Sequence, residues 1–481
     1  MSEIAIVESR ADRASVHICD RLRALEDWDR HTDDNRPDAE GGGDYDRIDG
    51  VELRSFDELH LELERPEEAF EADPDLLVFA SRHSGETGPL LTGHFTGNFG
   101  PAEYGGDPDA LAPAAPNALG HLLAAFDEYA PDGYAVGMEC THHGPTDVGV
   151  PSLFAELGSG DEQWDDPAGA EAVARAILEL RGVDTHRTVG GEPAPVDLGE
   201  HEPYSQAPRS EHEHYSQRSR NEAEPHRQIV GFGGGHYVPR FERIVRETPW
   251  AVGHVAADWS LSAMGEPGAN RELLAAAFER SESEFAVVDD DRPALESVVD
   301  QLGYRVVSEA WLRAVGDRSL DLVERVERDL GTPGDGVQFG ARRDREREYE
   351  ILSLPGELVA AAEGVDPKET WNRVAEHVVA FETANGGSRV GERAALASSD
   401  SLEAIVEALA DVLAERYETV RVTEDAVVLG ERAFDPACAR ELGVEEGPAF
   451  GRLADGEAVS VDGRTIEPED VHVERETRFS W

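Results

Sequence analysis

Apolar and polar positions along the N-terminal two-thirds of the chain fall into short blocks that alternate between two periods. Ile4–Ser9 ("IAIVES") is a brief apolar run, the pattern of a buried strand. Arg13–Leu25 follows with Val16, Cys19 and Leu22 at helical spacing. Asp75–Ser84 is an apolar run that ends in polar residues. Pro116–Ala130 reads as an amphipathic helix with Asn117 as its N-cap. Tyr134–Cys140 and Val150–Ser159 read as strands on either side of a turn, and Asp166–Gly182 as a helix closed by Gly182. Two stretches break the rhythm. Asp29–Gly50 is polar and Gly-rich and predicts a loop or an insertion. Residues 183–226 dissolve into Pro, Glu, Ser and His and predict an insertion or a flexible loop; its His186, His201, His212, His214 and His226 offer metal ligands, but a segment with no core to fold around reads first as a solvated loop. Arg227–Phe232 restarts as a strand, and strand and helix signals alternate to about Leu312. This alternation predicts a layered α/β core. Residues 313–481 form a second region, with a helix over Ser401–Glu418 and a β-rich end from Gly456 to Glu474.

Length and charge refine the picture. A chain of 481 residues predicts two domains, here 1–312 and 313–481. It carries 101 Asp and Glu against 44 Lys and Arg, a net charge of −57, and its single lysine is Lys368. With 40% apolar residues this is not a disordered acidic tail. It is the balance of a globular protein kept hydrated in very high salt, where self-repulsion is screened. The acidity therefore says little about the substrate. Cys19, Cys140 and Cys438 are few, odd in number and far apart, which argues for a reducing compartment and against a disulfide framework. No apolar run is long enough to span a bilayer, and the N-terminus lacks a signal-peptide pattern, so a soluble, cytoplasmic protein is expected, as a monomer.

Chemistry-bearing residues cluster where strands end. The clusters are "SRHS" (Ser81–Ser84), "TGHFTGN" (Thr92–Asn98), "ECTHHGPT" (Glu139–Thr146) and "GFGGGHYVP" (Gly231–Pro239), with a weaker one around His254 and Asp258. Ligands of α/β sheets bind beyond the carboxyl ends of strands. Adjacent His142 and His143 cannot share a face of a regular element, so a turn must present them. Glu139, three residues earlier, is placed to act as a base or as an orienting acceptor. Glu139, His142, His143 and His94 are the candidate catalytic residues, and the same four with His236 are candidate metal ligands. Their spacing matches no zinc signature. Polar members of the clusters, His83, Asn98 and Thr141, are candidate substrate contacts, as are the Gly233, Gly234 and Gly235 N–H groups for an oxyanion.

Taken together and in order, "FASRHS", "LTGHFTGNFG", "ECTHHGPTD", "VPSLFAELGS" and "GGGHYVPRF" resemble the D-aminoacyl-tRNA deacylases of the archaeal and plant type over about residues 4–312. The resemblance implies a three-layer α/β/α core similar to phosphorylase and peptidyl-tRNA hydrolase folds. It implies hydrolysis of the ester between a D-amino acid and tRNA, or of glycine wrongly attached to tRNA, with Zn2+ as cofactor and aminoacylated tRNA as partner. On that reading Gly93 and Gly97 are expected to open space on one side of His94, and Arg240 and Arg243 to fix tRNA phosphates. Residues 441–471 are also similar to a segment of tRNA-processing metallo-β-lactamase nucleases but carry none of that family's metal ligands, so a tRNA-contacting element and a small β unit both remain open. The residues themselves leave two further alternatives: a metal-dependent or phosphorylase-like enzyme acting on a small ester, amide or nucleoside, and a tRNA-binding protein without catalysis.

Overall fold

A computed structural model of the chain describes residues 3–187, 226–343, 348–397 and 399–481. His201, His212 and His214 of the expected insertion lie outside the described residues. The chain divides into two compact units, with the break between Arg318 and Ser319. The break falls beyond Leu312 because Trp311 and Leu312 belong to the core of the first unit. Trp250 Nε1 donates to Leu312 O (3.1 Å), and its ring lies 5.5 Å from those of Trp311 and Phe285.

The first unit is α/β. Its larger sheet comprises β1 (Ile4–Ser9), β2 (Asp29–Asp33), β3 (Gly43–Ile48), β4 (Val51–Phe56), β5 (Leu76–Ser84), β6 (Leu90–His94), β7 (Ala135–Met138) and β8 (Ser152–Ser159), in the order β2-β3-β4-β1-β5-β8-β6-β7. The centre is parallel: β4, β1, β5 and β8 run together, and β6, antiparallel to β8, pairs parallel with β7. A second, all-parallel sheet has the order β10 (Ala251–Ala256), β9 (Gln228–Phe232), β11 (Phe285–Val288), β12 (Arg305–Val306). The central strands read as continuous apolar runs because both faces are covered; every residue of β1, β4, β6, β8, β9 and β10 is buried.

Two expectations from the pattern are corrected. Asp29–Gly50 is not a loop: β2 and β3 form a hairpin that extends the edge of the sheet through β4. Its residues show little apolar alternation because β2 is an exposed, charged edge, with Thr32 Oγ1 donating to Asp44 across the hairpin (2.9 Å). Asn117 is not an N-cap. The helix α2 (Pro116–Tyr129) starts on Pro116 with Ala115 as its N-cap, two residues before the expected cap, and Asn117 Nδ2 donates instead to Asp184 O (2.7 Å). Burial of Leu119, Leu122, Leu123 and Phe126 fixes α2 on the core, at about 1.5–3 kcal/mol per side chain. The helix α4 (Pro167–Leu178) is capped by Asp166 and ends before Gly182, which closes the following turn at φ 78°.

The second unit has a four-stranded antiparallel sheet in the order Val337–Phe339, Ala380–Ala384, Arg389–Leu396, Glu350–Ser353. A three-stranded sheet, Thr419–Val422, Ala426–Phe434 and His472–Ser480, and a hairpin, Val459–Val461 with Arg464–Ile466, supply the β-rich end. The helix expected over Ser401–Glu418 spans Ser399–Ala414. No described helix is long and apolar enough to cross a membrane.

Candidate functional site

The site gathers where β5, β6, β7 and β9 end. His83 lies near the end of β5, and His94 is the last residue of β6. Glu139 follows β7 directly, and His236 sits in the Gly-rich loop after β9. Glu139 is the centre and is buried (1% exposed). Its Oε2 accepts from His236 Nε2 at 2.7 Å and lies 3.7 Å from His142 Nε2. Its Oε1 has no hydrogen-bond partner and faces His83 Nε2 at 3.6 Å.

The imidazoles pack into a cluster, tilted and edge-on to one another. The His94 ring centroid is 4.2 Å from that of His142 and 4.8 Å from that of His143, and His142 is 4.7 Å from His236. The Nδ1 of each buried ring donates to a main-chain carbonyl: His94 to Phe95 O (3.0 Å), His142 to Cys140 O (2.8 Å) and His143 to Gly144 O (2.7 Å). The Nε2 of His142 and of His143 is thereby left with its lone pair free, the arrangement in which protein histidines bind metal, whereas Glu156 faces His94 Nε2 and raises that imidazole against its burial. One donor atom from each of His94, His142 and His143 lies within 4.8 Å of the others, and the same holds for Glu139, His142 and His236. The buried His94 Nε2 has no hydrogen-bond partner, as Glu139 Oε1 has none. The turn answers how two adjacent histidines serve one site: His143 adopts a left-handed backbone (φ 48°), so successive side chains turn inward together.

Burial and neighbouring charge set the protonation states. Burial lowers His142 and His143 well below the usual histidine value, and the neighbouring His94 adds to it. Burial alone would raise Glu139. The bond from His236 and the surrounding imidazoles reverse this and hold it well below the usual carboxylate range. The Cys140 sulfur, 3.7 Å from Nδ1, and the Glu139 carboxylate raise His236 to about 10. Burial lowers His83, with Glu139 opposing.

Several of the site's residues were not singled out from sequence. Burial pushes Glu156 on β8 up to about 7, and its Oε1 lies 3.5 Å from His94 Nε2. The signal was an acid inside the apolar run Val150–Ser159, which is rare without a partner. Ser159 holds His83 at Nδ1 (2.9 Å) while donating to Gly88 O (2.9 Å). The Tyr237 hydroxyl meets His83 Nε2 at 3.2 Å.

The structure brings His83, His94, Glu139, His142, His143 and His236 together and gives other expected residues different work. Gly93 opens no space beside His94: a Cβ there would meet Leu119 Cδ1 at 2.8 Å, because α2 packs against it. At Gly97 a Cβ would lie 2.4 Å from Leu111 Cδ2. The Thr141 hydroxyl bonds His254 Nδ1 (3.0 Å) and accepts from Val255 N (3.1 Å). His254 is buried behind the turn, donating to Ala112 O (2.9 Å), and positions Thr141. Asn98 Nδ2 ties down the loop at Gly105 O and Asp107 O, both 3.0 Å. Gly233 N–H and Gly234 N–H are taken by Ala256 O (2.8 Å) and Asp258 Oδ1 (3.0 Å), whereas Gly235 N–H has no partner among the described residues. Arg240 pairs with Asp289 (2.7 Å) and Arg243 with Glu309 (2.8 Å), so both guanidinium groups are already ion-paired.

Residues 70–307 match the family model described as D-aminoacyl-tRNA deacylase. The chain is 50% identical to a D-aminoacyl-tRNA deacylase of Halorubrum lacusprofundi, over 99% of this chain and 96% of the relative. It is 48% identical to that of Natronomonas pharaonis, over 99% of this chain and 100% of the relative. For that of Haloarcula marismortui the identity is 44%, with the same coverage. A crystal structure titled as a conserved protein of unknown function matches with a TM-score of 0.50 at 25% identity, covering 65% of this chain and 97% of that one. The halophilic relatives therefore share the second unit, while the solved structure spans a shorter stretch.

Proposed function

The chain belongs to the D-aminoacyl-tRNA deacylase family, and from that premise we propose how its site hydrolyses the ester of a D-aminoacyl-tRNA, giving free tRNA and a D-amino acid. The observation that carries this reading is the buried Glu139 carboxylate ringed by His83, His142 and His236, with one oxygen left without a partner. Ester hydrolysis needs a positioned water, an acceptor for its proton and donors for the tetrahedral oxyanion. Because Ser159 donates its own hydrogen to Gly88 O, it accepts from His83 Nδ1–H, which leaves His83 Nε2 as a base beside Glu139 Oε1. A water bridging these two atoms from the open side is oriented by Glu139 and gives its proton to His83. Gly235 N–H supplies an oxyanion donor.

The donor sets suit zinc, imidazole nitrogen with one carboxylate oxygen, and the two orphaned buried atoms of His94 and Glu139 fit such an ion. His94, His142 and His143, or Glu139, His142 and His236, would hold it. A bound zinc lowers the pKa of a coordinated water and polarises an ester carbonyl. The same reading implies a three-layer α/β/α first unit, a cytoplasmic monomer and the aminoacylated acceptor end of tRNA as partner, with glycyl-tRNA as a second substrate.

Recognition of an acidic partner by an acidic protein in molar salt calls for stacking rather than phosphate pairing. Among the described residues, the exposed large aromatics are Tyr104, Tyr237 and Trp259. Tyr104 O accepts from Gly144 N, Tyr237 touches His83, and Trp259 follows Asp258, which holds Gly234. The deciding experiment is release of amino acid from D- and L-aminoacyl-tRNA in multimolar KCl, with and without a chelator. Selective release from the D-forms supports the proposal. Equal rates on both enantiomers, or no release, overturn it, and full activity in metal-free protein removes the zinc.

A further inference from the structure

Ester hydrolysis ends when the ribose oxygen leaves, and an alkoxide departs slowly unless an acid protonates it. His83 and Glu139 account for the proton that water loses, not for the proton that this oxygen gains. The Tyr237 hydroxyl, 3.2 Å from His83 Nε2, is placed to supply it.

The direction of that bond follows from its neighbours. Gly88 O can only accept, so Ser159 donates to it (2.9 Å) and accepts from His83 Nδ1–H (2.9 Å). His83 Nε2 then carries the lone pair, and Tyr237 is the donor. The bond joins a buried imidazole to a side chain that is 36% exposed, so it lies at the edge of the site, where a substrate can reach it. Two neighbours fix the geometry. Val238, the next residue, is buried at the N-cap of the helix Pro239–Glu247 and holds a left-handed backbone (φ 35°), rare for a β-branched side chain. That turn leaves the Tyr237 ring edge-on to His236, with centroids 5.0 Å apart, and its hydroxyl on His83. Gly85 gives the pair room: a Cβ there would lie 2.9 Å from His83 Cε1 and 3.5 Å from the Tyr237 hydroxyl.

We propose that Tyr237 is the general acid for the leaving ribose oxygen, relaying to it the proton that His83 takes from water; this rests on the deacylase reading. The water held by His83 and Glu139 forms its bond to the ester carbonyl carbon as one of its protons passes to His83 Nε2. The hydroxyl hydrogen of Tyr237, a free rotor, turns from Nε2 to the ribose oxygen. When the tetrahedral adduct collapses, the bond from carbon to ribose oxygen breaks and its electron pair stays on that oxygen. Tyr237 O–H protonates it, and the Nε2 proton passes to the tyrosine oxygen. Both side chains return to their starting state. The products are a ribose hydroxyl and the amino acid, whose carboxyl proton goes to solvent.

The test is Tyr237→Phe, which removes one oxygen and keeps the ring. On D-aminoacyl-tRNA in multimolar KCl, kcat should fall about 10²–10⁴-fold with KM little changed. On the p-nitrophenyl ester of the same D-amino acid, whose leaving group departs as an anion, the loss should be at least about tenfold smaller. Turnover of aminoacyl-tRNA in water labelled with heavy oxygen gives a second reading, whether or not the small ester is a substrate. An adduct that cannot shed ribose returns to ester, so the variant should place label in the recovered ester carbonyl where the wild type places little. Circular dichroism checks that the variant is folded. A folded variant whose kcat on aminoacyl-tRNA is within about threefold of the wild type would overturn the relay and leave the deacylase reading intact. Equal loss on both esters, or loss without label in the recovered ester, would also overturn it, since mere support of His83 produces that result. No release by the wild type would remove the deacylase reading itself.

Discussion

His236 Nε2 donates to Glu139 Oε2 across 2.7 Å, joining two residues 97 positions apart and two separate sheets at one point. The carboxylate cannot be replaced without loss at both ends of this bond. In Glu139→Gln the imidazole loses its anionic partner and should titrate well below its present value of about 10. The water-orienting oxygen becomes half of an amide. Deacylation should fall by about 10²–10⁴-fold, the usual contribution of such a group. Steady-state rates together with the NMR titration of His236 check this, and a variant within about threefold of the wild type would remove Glu139 from the chemistry.

Much of this site was legible because its residues sit in short, unusual strings. "ECTHHGPT" and "GGGHY" stand out against apolar strands, and the strand-end rule predicted that they face a ligand. What stayed hidden depends on partners distant in sequence. Glu156 looks like any strand acid until His94 is placed 3.5 Å away, and Ser159 acquires its role only through His83. Gly93 and Gly97 read as openings because a missing side chain does not reveal which neighbour fills the gap; α2 and Leu111 do. The β2–β3 hairpin was unreadable for a different reason. An edge exposed to solvent carries no apolar period.

Acid should destabilise the first unit through His254. Burial, partly offset by the bond to Ala112 O, lowers this imidazole from 6.5 to about 4. Its neutral form is the one that fits between Thr141 and Ala112. Its contribution is therefore complete above about pH 6.5 and is lost as pH falls from there toward 4, because the unfolded chain binds the proton first. The linked loss is on the order of 3 kcal/mol. Thermal melts at about pH 7.5 and 5 in constant high salt should differ less for His254→Gln than for the wild type. An unchanged difference would assign the acid sensitivity elsewhere.

Arg243 offers a check on how tRNA is held. Its guanidinium grips Glu309 through Nε (3.1 Å) and Nη2 (2.8 Å). Burial alone would raise Glu309, but Arg243 and Arg313 together bring it down to about 2. A half-exposed pair of this kind contributes about 0.2–1 kcal/mol, less in molar salt. Arg243→Ala should lower the melting temperature slightly and leave tRNA affinity within about twofold. A tenfold weaker complex, measured by filter binding, would return this arginine to the phosphate-binding role expected from sequence.

Trp259 should carry part of the affinity for tRNA. It is 51% exposed on the first turn of the helix Asp258–Met264, beside the acid that holds Gly234 N–H. Leaving a large aromatic in water is unfavourable unless something covers it, and the unpaired bases of an acceptor end offer flat apolar faces. Stacking a base on an aromatic ring contributes about 1–3 kcal/mol, without the counterions that make phosphate contacts salt-sensitive. Trp259→Ala should therefore raise KM for aminoacyl-tRNA roughly 5- to 100-fold with little change in kcat, and Trp259→Phe should recover much of the loss. The ratio of variant to wild-type KM should stay flat as KCl is raised, since no ion pair is being removed. If KM is unchanged, or if the defect vanishes at high salt, the acceptor end does not stack on this residue.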